Sequence, residues 1–225
     1  MKDGYYKLNY ILDNRYASDR FSLIHAYHLI EKDLIKLFDY IDPTDNNLKT
    51  YSHRIYELFL RSATEFESNC SAILKSNGFQ SPNNFTIFDF FKINKVSRLD
   101  ESAVKLNIWT PIPKIFEPFK DWKNHGSFVS LNWYQNYNSV KHDRNVNFKH
   151  ANLENLLLAI SGVIVILFSQ FYIQTFYPYQ EGSSWICDDD GFLYNESSLF
   201  SVKEIKSWSP DELYEFDWNK LKLIP

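Results

Sequence analysis

Apolar positions along this chain fall into helical stripes separated by turn residues. Over residues 21–41, Leu23, Ala26, Tyr27, Ile30, Leu34, Leu37 and Phe38 recur at helical spacing and predict a first helix. Asp42-Pro43 closes it, because proline disfavours a helical residue before it. A second helix is predicted over residues 48–76, where Ile55, Phe59, Ala63, Phe66, Cys70, Ile73 and Leu74 form one stripe ending at Asn77-Gly78. A shorter helical stretch follows at 86–93. Two long helices are then predicted over 130–143 and 148–176.

Ahead of these two, residues 96–127 break the rhythm. Pro111, Pro113 and Pro118 interrupt any period, yet Ile108, Trp109, Ile112, Ile115, Phe116, Phe119 and Trp122 keep the segment apolar. The expectation is an ordered loop packed on the helices, too apolar for a disordered linker. After residue 178 the character changes again. Short apolar runs at 184–187 and 192–194 flank Asp188-Asp189-Asp190-Gly191, a hairpin signal. Ser209-Pro210-Asp211-Glu212 reads as an N-cap, a proline at N1 and a glutamate at N3, so a short helix is expected beyond it. The predicted fold is therefore mainly α: a bundle of four to five helices over 1–178, with a small β-hairpin and a short helix over 179–225.

The segment from Leu156 to Phe168 is uncharged and almost wholly apolar. A membrane span wants about 20 such residues, whereas runs of about 10–14 are usually buried helices. Asn152, Glu154 and Asn155 precede it and Ser169 and Gln170 follow it, so the expectation is the central helix of a bundle with no membrane partner. The N-terminal residues lack the apolar region of a secretory signal, and the two cysteines, Cys70 and Cys187, have neither disulfide-framework nor metal-ligand spacing. A reducing cytoplasm is the expected setting, and no metal or cofactor is expected.

The net charge is −4, which excludes coating of nucleic acid by bulk electrostatics but leaves room for a local basic site. Aromatic content of 18% accompanies abundant Asn, Ile and Lys and follows that compositional bias. The three aspartates at 188–190 lack the ligand spacing of a calcium loop and read as a solvated turn. On the second helix, Arg54, Glu57, Arg61 and Glu65 share a face of alternating charge. That pattern fits surface ion pairs. The sharper alternative turns Arg61 and Glu65 inward to orient a functional group across the bundle.

The densest chemistry lies at 133–150. On a helix, Trp133, Tyr137, Val140 and Arg144 fall on one stripe and Tyr134, Asn138, Lys141 and Asn145 on the next. Aromatic, amide and basic groups interleave, a chemistry suited to phosphates and stacked bases. Lys141, His142, Arg144, Lys149 and His150 concentrate cationic groups in an acidic chain. The plainer alternative makes Trp133 and Tyr137 core aromatics and His150 an exposed residue of a first turn.

Arg144-Asn145 followed by His150, entering a long apolar helix, resembles the R-x4–6-H motif of the HEPN superfamily (higher eukaryotes and prokaryotes nucleotide-binding). The resemblance implies a metal-independent endoribonuclease of a defence or toxin type. By the same resemblance, His150 would move a proton at the ribose 2′-hydroxyl or the leaving oxygen, Arg144 would hold the scissile phosphate, and Asn145 would orient an oxygen of it. Lys141, His142, Tyr137 and Asn138 are expected to line the substrate path, with Arg61 and Glu65 as outer supports. RNA, a second copy of the chain in a homodimer, and an antitoxin or defence partner are the implied partners. The alternative is a non-catalytic helical module that binds RNA or protein. One geometric condition attaches: six residues of unbroken helix would leave Arg144 and His150 about 120° apart. The chain must break between them, and Asn147 is the expected cap of the following helix.

Overall fold

A computed structural model describes residues 17–123, 128–175, 186–194, 199–205 and 208–209. Its helices are α1 (Arg20–Phe38), α2 (His53–Ser76), α3 (Ile87–Ser97), α4 (Asn132–His142), the short α5 (Arg144–Asn147) and α6 (Leu153–Phe171). Each long helix follows from its stripe. α1 buries Ile24, Tyr27, Ile30, Leu34 and Leu37, and α2 buries Ile55, Phe59, Ala63, Phe66, Cys70 and Leu74.

The ends are set by local chemistry. The Ser52 hydroxyl accepts from the Ile55 amide at 3.2 Å to start α2, five residues later than the apolar pattern alone suggested. Its other end closes with Gly78 at φ +80° and the Phe79 amide bonded back to the Leu74 carbonyl at 3.0 Å. α3 starts with a reciprocal capping box between Thr86 and Asp89.

α6 is the centre of the molecule. Residues Leu157, Ala159, Ile160, Val163, Val165 and Ile166 lie on different sides of the helix, and none is more than 2% exposed. It packs mainly against α2 and also meets α1, α4 and the sheet. By length and composition it could cross a membrane, but 72% of its apolar window is covered by the rest of the chain.

The β structure is larger than the expected hairpin. Strands β1 (Val104–Leu106), β2 (Lys114–Phe116), β3 (Ile186–Cys187), β4 (Phe192–Tyr194) and β5 (Phe200–Lys203) form one antiparallel sheet in the order β2-β1-β5-β4-β3. The β3–β4 hairpin is present, with Asp188 capping its turn by accepting from the amides of Asp190 (3.1 Å) and Phe192 (2.9 Å). The correction lies in what it joins. β5 pairs with β1, with Val104 opposite Val202 and Leu106 opposite Phe200, so two strands come from the stretch read as a proline-broken loop. Its prolines sit where a sheet tolerates them, since Pro113 and Pro118 flank the edge strand β2. The division at residue 178 and the helix expected after Ser209 lie outside the described residues.

Candidate functional site

The break expected between Arg144 and His150 is only a change from α to 3-10 geometry at Asn147 (φ −103°, ψ 6°), and the full departures from helix lie just outside the pair, at Asp143 and Ala151. Asp143 leaves helical geometry at φ −142°, and its carboxylate accepts from the Val146 amide at 3.3 Å to start α5. A single 3-10 turn, Phe148–His150, then carries the chain to α6. The cap of α6 is Asn152 rather than Asn147: the side-chain oxygen Asn152 Oδ1 accepts from the Asn155 backbone amide at 3.1 Å. Asn147 instead turns back, donating from Nδ2 to the carbonyls of Ser139 (3.2 Å) and Asp143 (3.0 Å). Asn155, buried, donates from Nδ2 to the His150 carbonyl at 2.8 Å and holds the turn.

This junction is pinned to the start of α2. The Leu153 amide donates to the Thr50 carbonyl and the Glu154 amide to the Leu48 carbonyl, both at 2.9 Å, and Lys49 pairs with Glu154. The ties bring Phe148 into a ring cluster with residues almost a hundred positions earlier. Its centroid lies 4.8 Å from His53, 5.5 Å from Tyr51 and 6.0 Å from Tyr56. The Arg144 guanidinium sits 5.6 Å from the Tyr56 ring centroid. Tyr51, His53 and Arg144 are exposed, while Tyr56 and Phe148 are half-buried.

The other candidates divide among different places. Lys141, His142 and Asn145 are exposed, and Asn138 and His150 are half-buried. Trp133 and Tyr137 are core residues: Trp133 packs 5.3 Å from Phe66 and Tyr137 6.1 Å from Phe59. The Tyr137 ring therefore has no open face for a base, and only its hydroxyl reaches the surface chemistry.

That hydroxyl belongs to a network the sequence reading missed. Glu67 on α2 accepts from Tyr134 Oη at 2.5 Å and from Tyr137 Oη at 3.1 Å. Lys141 Nζ donates to Tyr137 Oη at 2.9 Å and lies 3.9 Å from the Glu67 carboxylate. The bond to Tyr137, aided by the Glu67 charge, raises the Lys141 pKa. Burial, followed by the bond to Glu67 and its charge, raises that of Tyr134 well above the ordinary phenol value.

Arg61 and Glu65 point elsewhere. Arg61 Nη2 reaches α1, donating to Asp33 at 2.7 Å and to the Leu29 carbonyl at 3.3 Å. The Arg61 bond, then Lys36, holds the Asp33 carboxyl below its ordinary range. Arg61, Arg54, Asp33, Lys36 and Tyr40 line a cavity of 630 Å³ between α1 and α2. Glu65 accepts within its own helix from Asn69 Nδ2 at 2.9 Å, and burial raises its pKa. The two-residue step from Glu65 to Glu67 rotates about 200° around the helix, which is why Glu67 and not Glu65 faces α4. Among the described residues, no group of His, Cys, Asp and Glu is arranged to hold a metal ion.

No protein-family model, curated protein or solved structure matches this chain. The functional argument therefore rests on the site itself.

Proposed function

We propose that the α4–α6 junction is an RNA-cleaving centre in which Arg144 and His150 act without a metal. The observation that carries the reading is the concentration of chemistry at one short junction: Arg144, Asn145 and His150 lie on a segment set off from α4 at Asp143 and from α6 at Ala151, with Lys141, His142 and Lys149 adding cations and Tyr51, His53 and Phe148 adding rings. In the reaction, the 2′-hydroxyl oxygen attacks the adjacent phosphorus and the bond to the 5′-oxygen breaks. His150 handles the proton that leaves the 2′-oxygen or the one that joins the 5′-oxygen. Arg144 offers two N–H groups to the phosphate oxygens as charge builds on them, and Asn145 adds a neutral donor. The products are a 2′,3′-cyclic phosphate and a 5′-hydroxyl. The resemblance to HEPN ribonucleases supports the same assignment, with a homodimer and a defence or toxin role as its corollaries.

A second reading, RNA binding without cleavage, is favoured by one detail. Among the described residues, no side chain hydrogen-bonds the His150 imidazole to fix its orientation, although its backbone is held by Asn155. The test is purified protein with total cellular RNA in EDTA, alongside Arg144→Ala and His150→Ala. Under the nuclease reading each substitution lowers the rate by about 10²–10⁴-fold, the usual contribution of one placed proton-transfer or charge-stabilising group. Cleavage that survives both substitutions would overturn the assignment. RNA binding without cyclic-phosphate products would establish the second reading.

A further inference from the structure

We propose that Tyr51, His53 and Phe148 form a seat for one unpaired nucleobase beside Arg144, so that the junction takes single-stranded RNA. The inference rests on the RNA reading above and specifies which form of RNA the site accepts. None of these three rings is accounted for by the Arg144–His150 chemistry. Tyr51 is 50% exposed although it is a large aromatic, and His53 and Arg144 beside it are exposed as well. Tyr51 meets Phe148 edge-on at 84°, and His53 meets it at 39°, so Phe148 is the floor and the other two are the walls. The floor is fixed, because the turn bearing Phe148 is tied through Leu153 and Glu154 to the backbone that bears Tyr51.

Charge selects the occupant. Lys49 is paired with Glu154 and Arg54 with Glu57, but Arg144 and Lys149 have no carboxylate partner among the described residues. Arg144 lies across Tyr56, at the border of the ring cluster. Unpaired cations next to exposed ring faces match a phosphate followed by a base. A duplex presents its phosphates but keeps both faces of each base covered by stacked neighbours, so it can use the cations and not the rings.

The experiment measures fluorescence anisotropy of a labelled 2′-O-methyl oligouridine, alone and annealed to its complement. The methyl groups remove the attacking hydroxyl and separate binding from cleavage. The single strand is expected to bind more tightly than the duplex. Tyr51→Ala and His53→Ala should each weaken single-strand binding by roughly 5- to 150-fold, the span measured for loss of one stacking ring. Tyr51→Trp should retain it, which separates lost stacking from a damaged fold. Single-strand affinity unchanged by both alanine variants, or duplex bound as well as single strand, would overturn the seat. Unchanged affinity together with a dimer that dissociates in Tyr51→Ala would overturn it in favour of a contact between copies of the chain. The two proposals fail separately. Cleavage by a protein whose alanine variants bind normally removes the seat alone, and ring-dependent binding without cleavage removes the nuclease alone.

Discussion

Replacing Glu67 with alanine tests whether the buried network holds α4 in place. The substitution strips the acceptor from two tyrosines, Tyr134 and Tyr137, that are 6% and 1% exposed. A hydrogen bond to a charged partner is worth about 1.5–3 kcal/mol, and an unmade bond at a buried donor costs a similar amount. Two such bonds set an upper range of about 3–6 kcal/mol. The Glu67 side chain keeps 26% of its surface exposed, so water can enter and replace part of what is lost. The Lys141 ion pair adds little, since it is long and half-exposed. The expected cost is therefore about 2–4 kcal/mol. At about 2–4 °C per kcal/mol for a chain of this size, the midpoint should fall by about 4–16 °C. Urea denaturation followed by circular dichroism reads the free energy, and Tyr134→Phe in both backgrounds gives the pairwise coupling. Glu67→Gln, which keeps an acceptor without the charge, should cost about half as much. A loss under about 0.5 kcal/mol, the scale of an ordinary surface change, would refute the reasoning.

Two further outcomes are expected from the core. Tyr27, Tyr134 and Tyr172 all have pKa values raised by burial, with Glu31, Glu67 and Glu204 reinforcing the effect, so the folded state keeps protons that the unfolded chain releases. Stability should thus be fully present below about pH 10 and decline as pH rises above it; thermal melts across that range, paired with phenolate absorbance, would show these three tyrosines ionising only on unfolding. At Gly162 an added Cβ would sit 3.4 Å from Trp133 Cζ2 and 3.7 Å from Phe119 Cζ, so Gly162→Ala should be tolerated, with up to about 1 kcal/mol gained from helix propensity. Gly162→Leu should lose about 1–3 kcal/mol by overpacking, and equal melting temperatures for the two variants would contradict the packing described.

The helices were legible because each carries a stripe or, in α6, an apolar surface on every side, and periodicity reports burial directly. The sheet was not, because its strands run for two to four residues and draw their partners from far along the chain. β1 alternates too briefly to show a period, and β5 is buried at Phe200, Ser201 and Val202 in succession, a pattern that does not distinguish strand from helix. At the junction, the end of α4 at Asp143 was readable, but the break expected over residues 145–147 is a short helix instead, and the cap of α6 is Asn152. Glu67 was hidden by the charge run beside it: Arg54, Glu57, Arg61 and Glu65 make a regular face, and the carboxylate off that face is the one that reaches α4. Tyr51 and His53 could not be tied to Phe148 by any local reading, since two backbone hydrogen bonds make the connection.

The position of Arg144 is thus set from two directions. From the core, Trp133 Nε1 donates to the Pro118 carbonyl at 2.8 Å, and the Glu67 network holds the next turns of α4, so the helix delivers its C-terminal end at a fixed height on α2. From the far side, the pairing of residues 48–51 with 152–154 fixes where α6 begins. The short α5 and the turn after it span what is left between two anchored points. Loosening α4 through Glu67 should therefore shift Arg144 while leaving the Tyr51–His53–Phe148 rings in place, because those depend on the other anchor. In Glu67→Gln, single-strand binding should weaken through the phosphate contact and keep its dependence on Tyr51. Loss of that dependence would mean that both anchors yield together and that the junction moves as one unit.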